Sequence, residues 1–232
     1  MRFRHVIFDL DGTLVDSLPG IEWSSRQALA ACGAGPLSCD LRPLLGPPIR
    51  SILAQATGIA APHRLDAIER AFRVSYDSEG FRQSVCFPGT LETLGQLSAA
   101  GACLWVATNK NRLATGNILS QLGIGRFFRE VACLDSRTPA FSSKAEMLID
   151  LVNRRALAPS ECLMVGDTRE DAAAARAAQM PCAILAHGYG DVPEAGGNAC
   201  HGFSGWNALL SFCQPQALPS LASMERVWVN QQ

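Results

Sequence analysis

The sequence lacks any marked excess of charge: 20 Lys and Arg face 21 Asp and Glu, for a formal net charge of -1. A nucleic-acid surface needs a basic excess, so polymeric nucleic acid is not an expected partner. An acidic tail is missing too. No apolar stretch approaches the roughly 20 residues needed to cross a bilayer, so no membrane association is expected. The N-terminal MRFRHVIFDLDGT carries charge straight into a short apolar run without a cleavage-like site, and does not read as a secretory signal. No C-x-x-C pair occurs, and the nine cysteines are odd in number. Cys103, Cys162 and Cys182 sit inside apolar runs, so reduced, buried thiols in a cytoplasmic protein are the expectation. There is no internal repeat or low-complexity tract.

What is present is a globular composition, 48% hydrophobic and 18% charged over 232 residues. Short apolar runs at His5 to Phe8, Ala102 to Ala107, Cys162 to Val165 and Cys182 to Ala186 read as buried strands. Helical segments lie between them: Thr90 to Ala100, Asn111 to Leu122, Lys144 to Arg155 and Arg169 to Ala178. Gly101 and Gly123 follow the first two as stop signals. Strand–helix–strand order predicts an α/β fold with a doubly wound parallel sheet. Nearly a hundred residues separate the first two strands, too many for one crossover. Residues 17–87 therefore read as an inserted helical unit, with helices at Ile21 to Ala31, Ile49 to Thr57 and Pro62 to Tyr76 and a Gly46-Pro47-Pro48 break between them. The expected division is residues 1–16 and 88–213 for the α/β core, 17–87 for the insertion and 214–232 for a tail. Trp206, Trp228 and the terminal segment are expected to pack on their own chain; the oligomeric state is not legible.

The chemistry begins at Phe8-Asp9-Leu10-Asp11-Gly12-Thr13. Open α/β sheets bind ligands beyond the carboxyl ends of their strands, where Asp9 lies. Asp9 and Asp11 leave an extended chain on one side, able to share a cation or to divide into an ionised and a protonated carboxyl. Gly12 permits a tight turn that offers backbone N–H groups to an anion. A carboxylate can attack phosphorus, and a neighbouring carboxyl can move the protons. A turn capping the next helix is the plainer alternative. An EF-hand is excluded, because Leu14 and Gly20 occupy the positions that need glycine and glutamate.

Three further segments repeat the pattern of an apolar strand or helix start delivering polar groups. Thr108-Asn109-Lys110 follows a strand; its hydroxyl and amides can hold phosphate oxygens or cap a helix. Lys144 opens a helix, where an ammonium adds to an existing anion site. Gly166-Asp167-Thr168-Arg169-Glu170-Asp171 brings Asp167 to the sheet edge as a candidate Mg²⁺ ligand. Asp171 stands at capping-box spacing from Thr168, compatible with a supporting role at the metal.

Together these segments resemble the haloacid-dehalogenase-like hydrolase superfamily, from about His5 to Gly188. Asp9-x-Asp11-Gly12-Thr13-x-Val15 is similar to its first motif, Thr108-Asn109 to the second and Gly166-Asp167-x-x-x-Asp171 to the fourth. The third motif usually places a proline after its lysine; Lys144 precedes Ala145, and Lys110 is the competitor. The resemblance implies a Rossmann-like core with a small helical cap, as in the phosphoglycolate-phosphatase-like branch. It implies Asp9 as nucleophile and metal ligand, and Asp11 as general acid/base whose backbone carbonyl meets the metal. Thr108 and Lys144 would hold the phosphoryl group, with Gly12, Thr13 and Asn109 binding substrate. Asp167 and Asp171 would complete a Mg²⁺ site.

The expected activity is Mg²⁺-dependent hydrolysis of a small phosphorylated metabolite through an aspartyl-phosphate, with 2-phosphoglycolate the leading candidate. Asp11 argues against dehalogenation. A β-phosphoglucomutase-like phosphotransferase, a nucleotidase or pyrophosphatase, and a fold-retaining binding protein are the alternatives. Substrate choice falls to the insertion. Among its arginines Arg50, just after Gly46-Pro47-Pro48, is the expected selector of a carboxylate or second phosphate on the substrate.

Overall fold

The computed structural model describes residues 1–37, 39–190 and 200–214. In chain order the elements are β1 (His5–Phe8), β2 (Val15–Asp16), α1 (Leu18–Ala31), α2 (Ile49–Thr57), α3 (Pro62–Ser78), β3 (Val85–Cys86), α4 (Thr90–Ala99) and β4 (Cys103–Thr108). There follow α5 (Arg112–Gln121), β5 (Phe128–Cys133), α6 (Lys144–Arg154), β6 (Cys162–Gly166), α7 (Arg169–Ala177), β7 (Cys182–Leu185), β8 (Cys200–Phe203) and α8 (Trp206–Cys213). Six strands form one parallel sheet in the order β5-β4-β1-β6-β7-β8. The chain runs outward from β1 through β4 to β5, then returns to the other side of β1 and runs outward again. That reversal leaves a crevice at the carboxyl ends of β1, β4 and β6, the expected ligand position in a doubly wound sheet.

Side-chain alternation on the central strands builds two cores. Val6 and Phe8 face one side with Leu104, Val106, Leu163 and Val165. Ile7 faces the other with Trp105, Ala107, Met164 and the inner faces of α6 and α7. Strands buried on both faces need apolar residues at every position, which is why these runs were visible as continuous patches. Trp206 packs on its own chain, with ring centroids 6.3 Å from Phe8 and 5.3 Å from His187. Trp228 and the tail beyond residue 214 lie outside the described residues. All nine cysteines are free thiols. No described helix is long and apolar enough to cross a membrane.

Helices α1, α2 and α3 occupy the interval between β2 and β3, and these two short strands pair antiparallel. The helical segment thus leaves and re-enters the core side by side. Its apolar faces, including Ile21, Leu29, Leu53, Ile68 and Phe72, join the same core cluster as one face of the sheet.

Candidate active site

The loop after β1 is wound tightly: the N–H groups of Thr13, Leu14 and Val15 all donate to the carbonyl of Leu10, at 3.3, 2.9 and 3.0 Å. Gly12 makes this possible. Its φ is +84°, and a Cβ there would lie 2.2 Å from Asp167 Oδ2. No other residue can occupy that position without displacing Asp167.

The carboxyl ends of β1 and β6 and the first turns of α6 and α7 bring four groups together. Asp9, Asp167 and Asp171 are buried and each offers a carboxylate oxygen within 4.8 Å of the others. Lys144, the first residue of α6, lies 2.8 Å from Asp9 Oδ1 and 2.5 Å from Asp171 Oδ1. Thr13 Oγ1 donates to Asp167 Oδ1 at 3.0 Å, and the backbone N–H of Tyr189 donates to Asp167 Oδ2 at 2.8 Å. Asp171 Oδ2 accepts from the N–H and hydroxyl of Thr168, at 3.0 and 2.8 Å. The capping box read from spacing is therefore formed, and the residue's other oxygen serves Lys144.

Three buried carboxylates against one ammonium is an unbalanced set. The imbalance shows in the acidities. Burial, aided by Asp171 and Asp167 and opposed by Lys144, pushes Asp9 up to about 8. Burial and Asp171 raise Asp167 to about 7, against the hydrogen bonds from Tyr189 and Thr13. Burial alone would lower Lys144, but Asp171 and Asp9 outweigh it and hold the ammonium charged. Asp9 Oδ1 is buried and receives no well-directed hydrogen bond. An all-oxygen cluster with excess negative charge and an under-satisfied oxygen fits a hard divalent cation.

Asp11 belongs to a second group. Lys110 Nζ donates to Asp11 Oδ1 and Oδ2 at 3.1 and 3.0 Å, and Ser17 Oγ donates to Oδ1 at 2.5 Å. Lys110 also sits 4.4 Å from the centroid of the Tyr76 ring, on α3. Lys110 and Lys144 are the chain's only lysines; one is held by Asp11, the other by Asp9 and Asp171. Thr108 is buried at the end of β4 and accepts from the N–H of Lys110 at 3.3 Å. Asn109 uses its side-chain amide as a bridge, donating to the carbonyl of Gly46 at 2.9 Å and to Glu170 Oε1 at 2.8 Å.

Asp9, Asp11, Thr108 and Asn109 border a cavity of about 530 Å³ whose far wall comes from α1, α2 and α3. Arg50 is not on that wall. Its guanidinium is held by Asp66 Oδ1 at 2.6 Å, Glu69 Oε2 at 3.3 Å and the carbonyl of Pro62 at 3.4 Å. Arg50 therefore stands apart from the other residues singled out in the sequence.

Tyr189 went unnoticed in the sequence. Its hydroxyl accepts from the N–H groups of Ser17 and Leu18, at 2.8 and 3.1 Å, and donates to Asp16 Oδ1 at 2.8 Å. One residue thereby connects Asp167 to the start of α1. The only local signal is its place between Gly188 and Gly190, a backbone that must pass close to Asp167 and Thr168.

Residues 6–185 match the sequence family described as haloacid dehalogenase-like hydrolase. The chain belongs to this family. A phosphoglycolate phosphatase of Agrobacterium fabrum is 34% identical over 193 residues, spanning 81% of this chain and 82% of that protein. A 5'-nucleotidase of Pseudomonas aeruginosa is 29% identical over 197 residues, spanning 84% and 87%. The crystal structure described as a predicted phosphoglycolate phosphatase from Haemophilus somnus superimposes with a TM-score of 0.79 at 25% identity, covering 92% of this chain and 99% of that one. The chain is a phosphatase of the haloacid dehalogenase-like family, and such relatives imply a small phosphorylated substrate.

Proposed function

We propose that this chain hydrolyses the phosphate monoester of a small metabolite with Asp9 as the nucleophile. The observation that carries the reading is the convergence of Asp9, Lys144, Asp167 and Asp171 at one sheet edge, beside a cavity that Asp11 and Thr108 also border. Asp9, Asp167 and Asp171, with the backbone carbonyl of Asp11, would hold Mg²⁺, which when bound offsets their charge and that of the phosphate. Asp9 attacks phosphorus and the ester oxygen leaves, taking a proton from Asp11. Asp11 then accepts a proton from water as that water attacks the aspartyl-phosphate and frees Asp9. Lys144 and Thr108 bind the phosphoryl oxygens; the N–H groups of Gly12 and Thr13, expected from the sequence to face the anion, are instead turned into the loop, onto the carbonyls of Val15 and Leu10 at 2.9 and 3.3 Å.

Helices of residues 17–87 act as a cap over a core of residues 1–16 and 88–213, with the paired strands β2 and β3 as the crossing point. A cytoplasmic location agrees with the free thiols. The relatives' names point to two substrates, 2-phosphoglycolate and a nucleoside monophosphate. The ion pairs that hold Arg50 away from the cavity remove the carboxylate selector expected for the first. Asp9→Asn should release no phosphate from any ester while retaining the wild-type circular dichroism spectrum. Wild-type turnover by that variant would overturn the assignment.

A further inference from the structure

Resting on this phosphatase reading, we propose that the substrate is the phosphate monoester of an uncharged, ring-bearing alcohol that carries a hydrogen-bond donor. A nucleoside fits that description; a phosphorylated small acid does not. Three features of the cavity carry the inference.

The first is room. About 530 Å³ lies within the range of sites that enclose ligands of drug size, far beyond a two-carbon acid. The cap loop is already seated: Asn109 donates to the carbonyl of Gly46, and a Cβ on Gly46 would lie 3.3 Å from the Thr168 methyl. The volume is that of a site with this edge shut.

The second is polarity. Ile21, Ile49, Ile52 and Phe72 line the wall facing the phosphate end. The Phe72 ring is stacked on Tyr76 at 5.3 Å and 15°. With Lys110 over the Tyr76 ring, the pair adds rigid apolar wall, against which the apolar body of a ring packs.

The third is charge. A substrate carboxylate needs an uncommitted cation. Arg50 is held outside, Arg73 is forked onto Glu69 Oε1 at 3.2 and 2.7 Å, and Lys110 is paired with Asp11. What the wall offers instead is Asp77, a carboxylate that lines the cavity and whose Oδ1 is itself buried without a hydrogen-bond partner among the described residues. A carboxylate there would be repelled. An N–H or O–H group would find in this carboxylate an acceptor on the cavity wall.

The test is phosphate release by the full chain with Mg²⁺, comparing kcat/KM for nucleoside 5'-monophosphates, 2-phosphoglycolate and glycerol phosphate. The proposal predicts at least a tenfold lead for the best nucleoside ester. Asp77→Lys should shrink the ratio of that ester to 2-phosphoglycolate at least tenfold. Parity, or a lead for the acid or the acyclic ester, overturns the proposal and leaves the phosphatase reading standing, as does an unchanged ratio in Asp77→Lys. Release from none of the esters overturns the phosphatase reading itself.

Discussion

Lys110 Nζ lies 3.1 and 3.0 Å from the two oxygens of Asp11, so the chain holds its proposed proton carrier with a mostly buried cation. An ion-paired carboxylate suits the second step, in which Asp11 accepts a proton from water. The first step needs Asp11 protonated, so the pair must loosen or pass its proton when substrate enters. Burial would lower the Lys110 ammonium, yet Asp11 and Tyr76 more than compensate and hold it charged. Asp11→Asn should lower kcat by about 10²- to 10⁴-fold, the usual scale of general acid–base catalysis. Lys110→Met should cost at least tenfold. Because the two residues form one unit, the double variant should lose much less than the product of the single losses. Multiplicative losses in steady-state kinetics would show that they act independently.

The metal-free site has a definite pH signature. Asp9 and Asp167 are raised in the folded chain to about 8 and about 7, well above ordinary carboxyls, mainly by burial. A carboxyl raised on folding contributes stability below its unfolded value, near 4, that is lost as pH rises through the folded value. In chelator, the melting temperature should therefore fall from pH 5 to pH 9. Added Mg²⁺ should raise it more at pH 8.5 than at pH 6, because bound cation favours the ionised carboxylates. Scanning fluorimetry reads both; a flat or rising chelator curve would contradict the cluster's electrostatics.

Tyr189 gives a prediction about structure alone. Tyr189→Phe removes the acceptor for two N–H groups at the start of α1 and the donor to Asp16, while its backbone bond to Asp167 remains. Unfolding in urea should show a loss of about 1–3 kcal/mol, the cost of buried groups left unpaired. Mg²⁺ affinity should change little. A large loss of metal affinity with no loss of stability would reverse the roles given to the two ends of this residue.

Arg50→Ala should leave kcat/KM within twofold for every ester, since its guanidinium is held by Asp66 and Glu69 beyond the cavity. A loss confined to acidic substrates would restore the carboxylate-selecting role.

The strands beneath the site were legible because burial on both faces makes them continuous apolar runs; His5–Phe8 coincides with the observed β1. The edge strands were not. Phe128–Cys133 includes Arg129 and Glu130 and is only partly buried, and Cys200–Phe203 has no fully buried residue. Edge strands carry polar residues that erase the period-two signal. Asp9, Asp167 and Lys144 could be found because each follows or opens a regular element. Tyr189 could not, since its partner Asp167 is 22 residues away in the sequence. Arg50 was misleading for a physical reason: a Gly-Pro-Pro break places a residue near a site, but two acidic residues on α3 decide where its charge points.

The central claim is that phosphate passes through Asp9. Acid quench during turnover, followed by mass analysis of the peptide containing Asp9, tests it directly. A phosphorylated Asp9 peptide is expected in the wild type and none in Asp9→Asn. An enzyme that turns over while Asp9 stays unmodified, or that carries the phosphate on another residue, would contradict it.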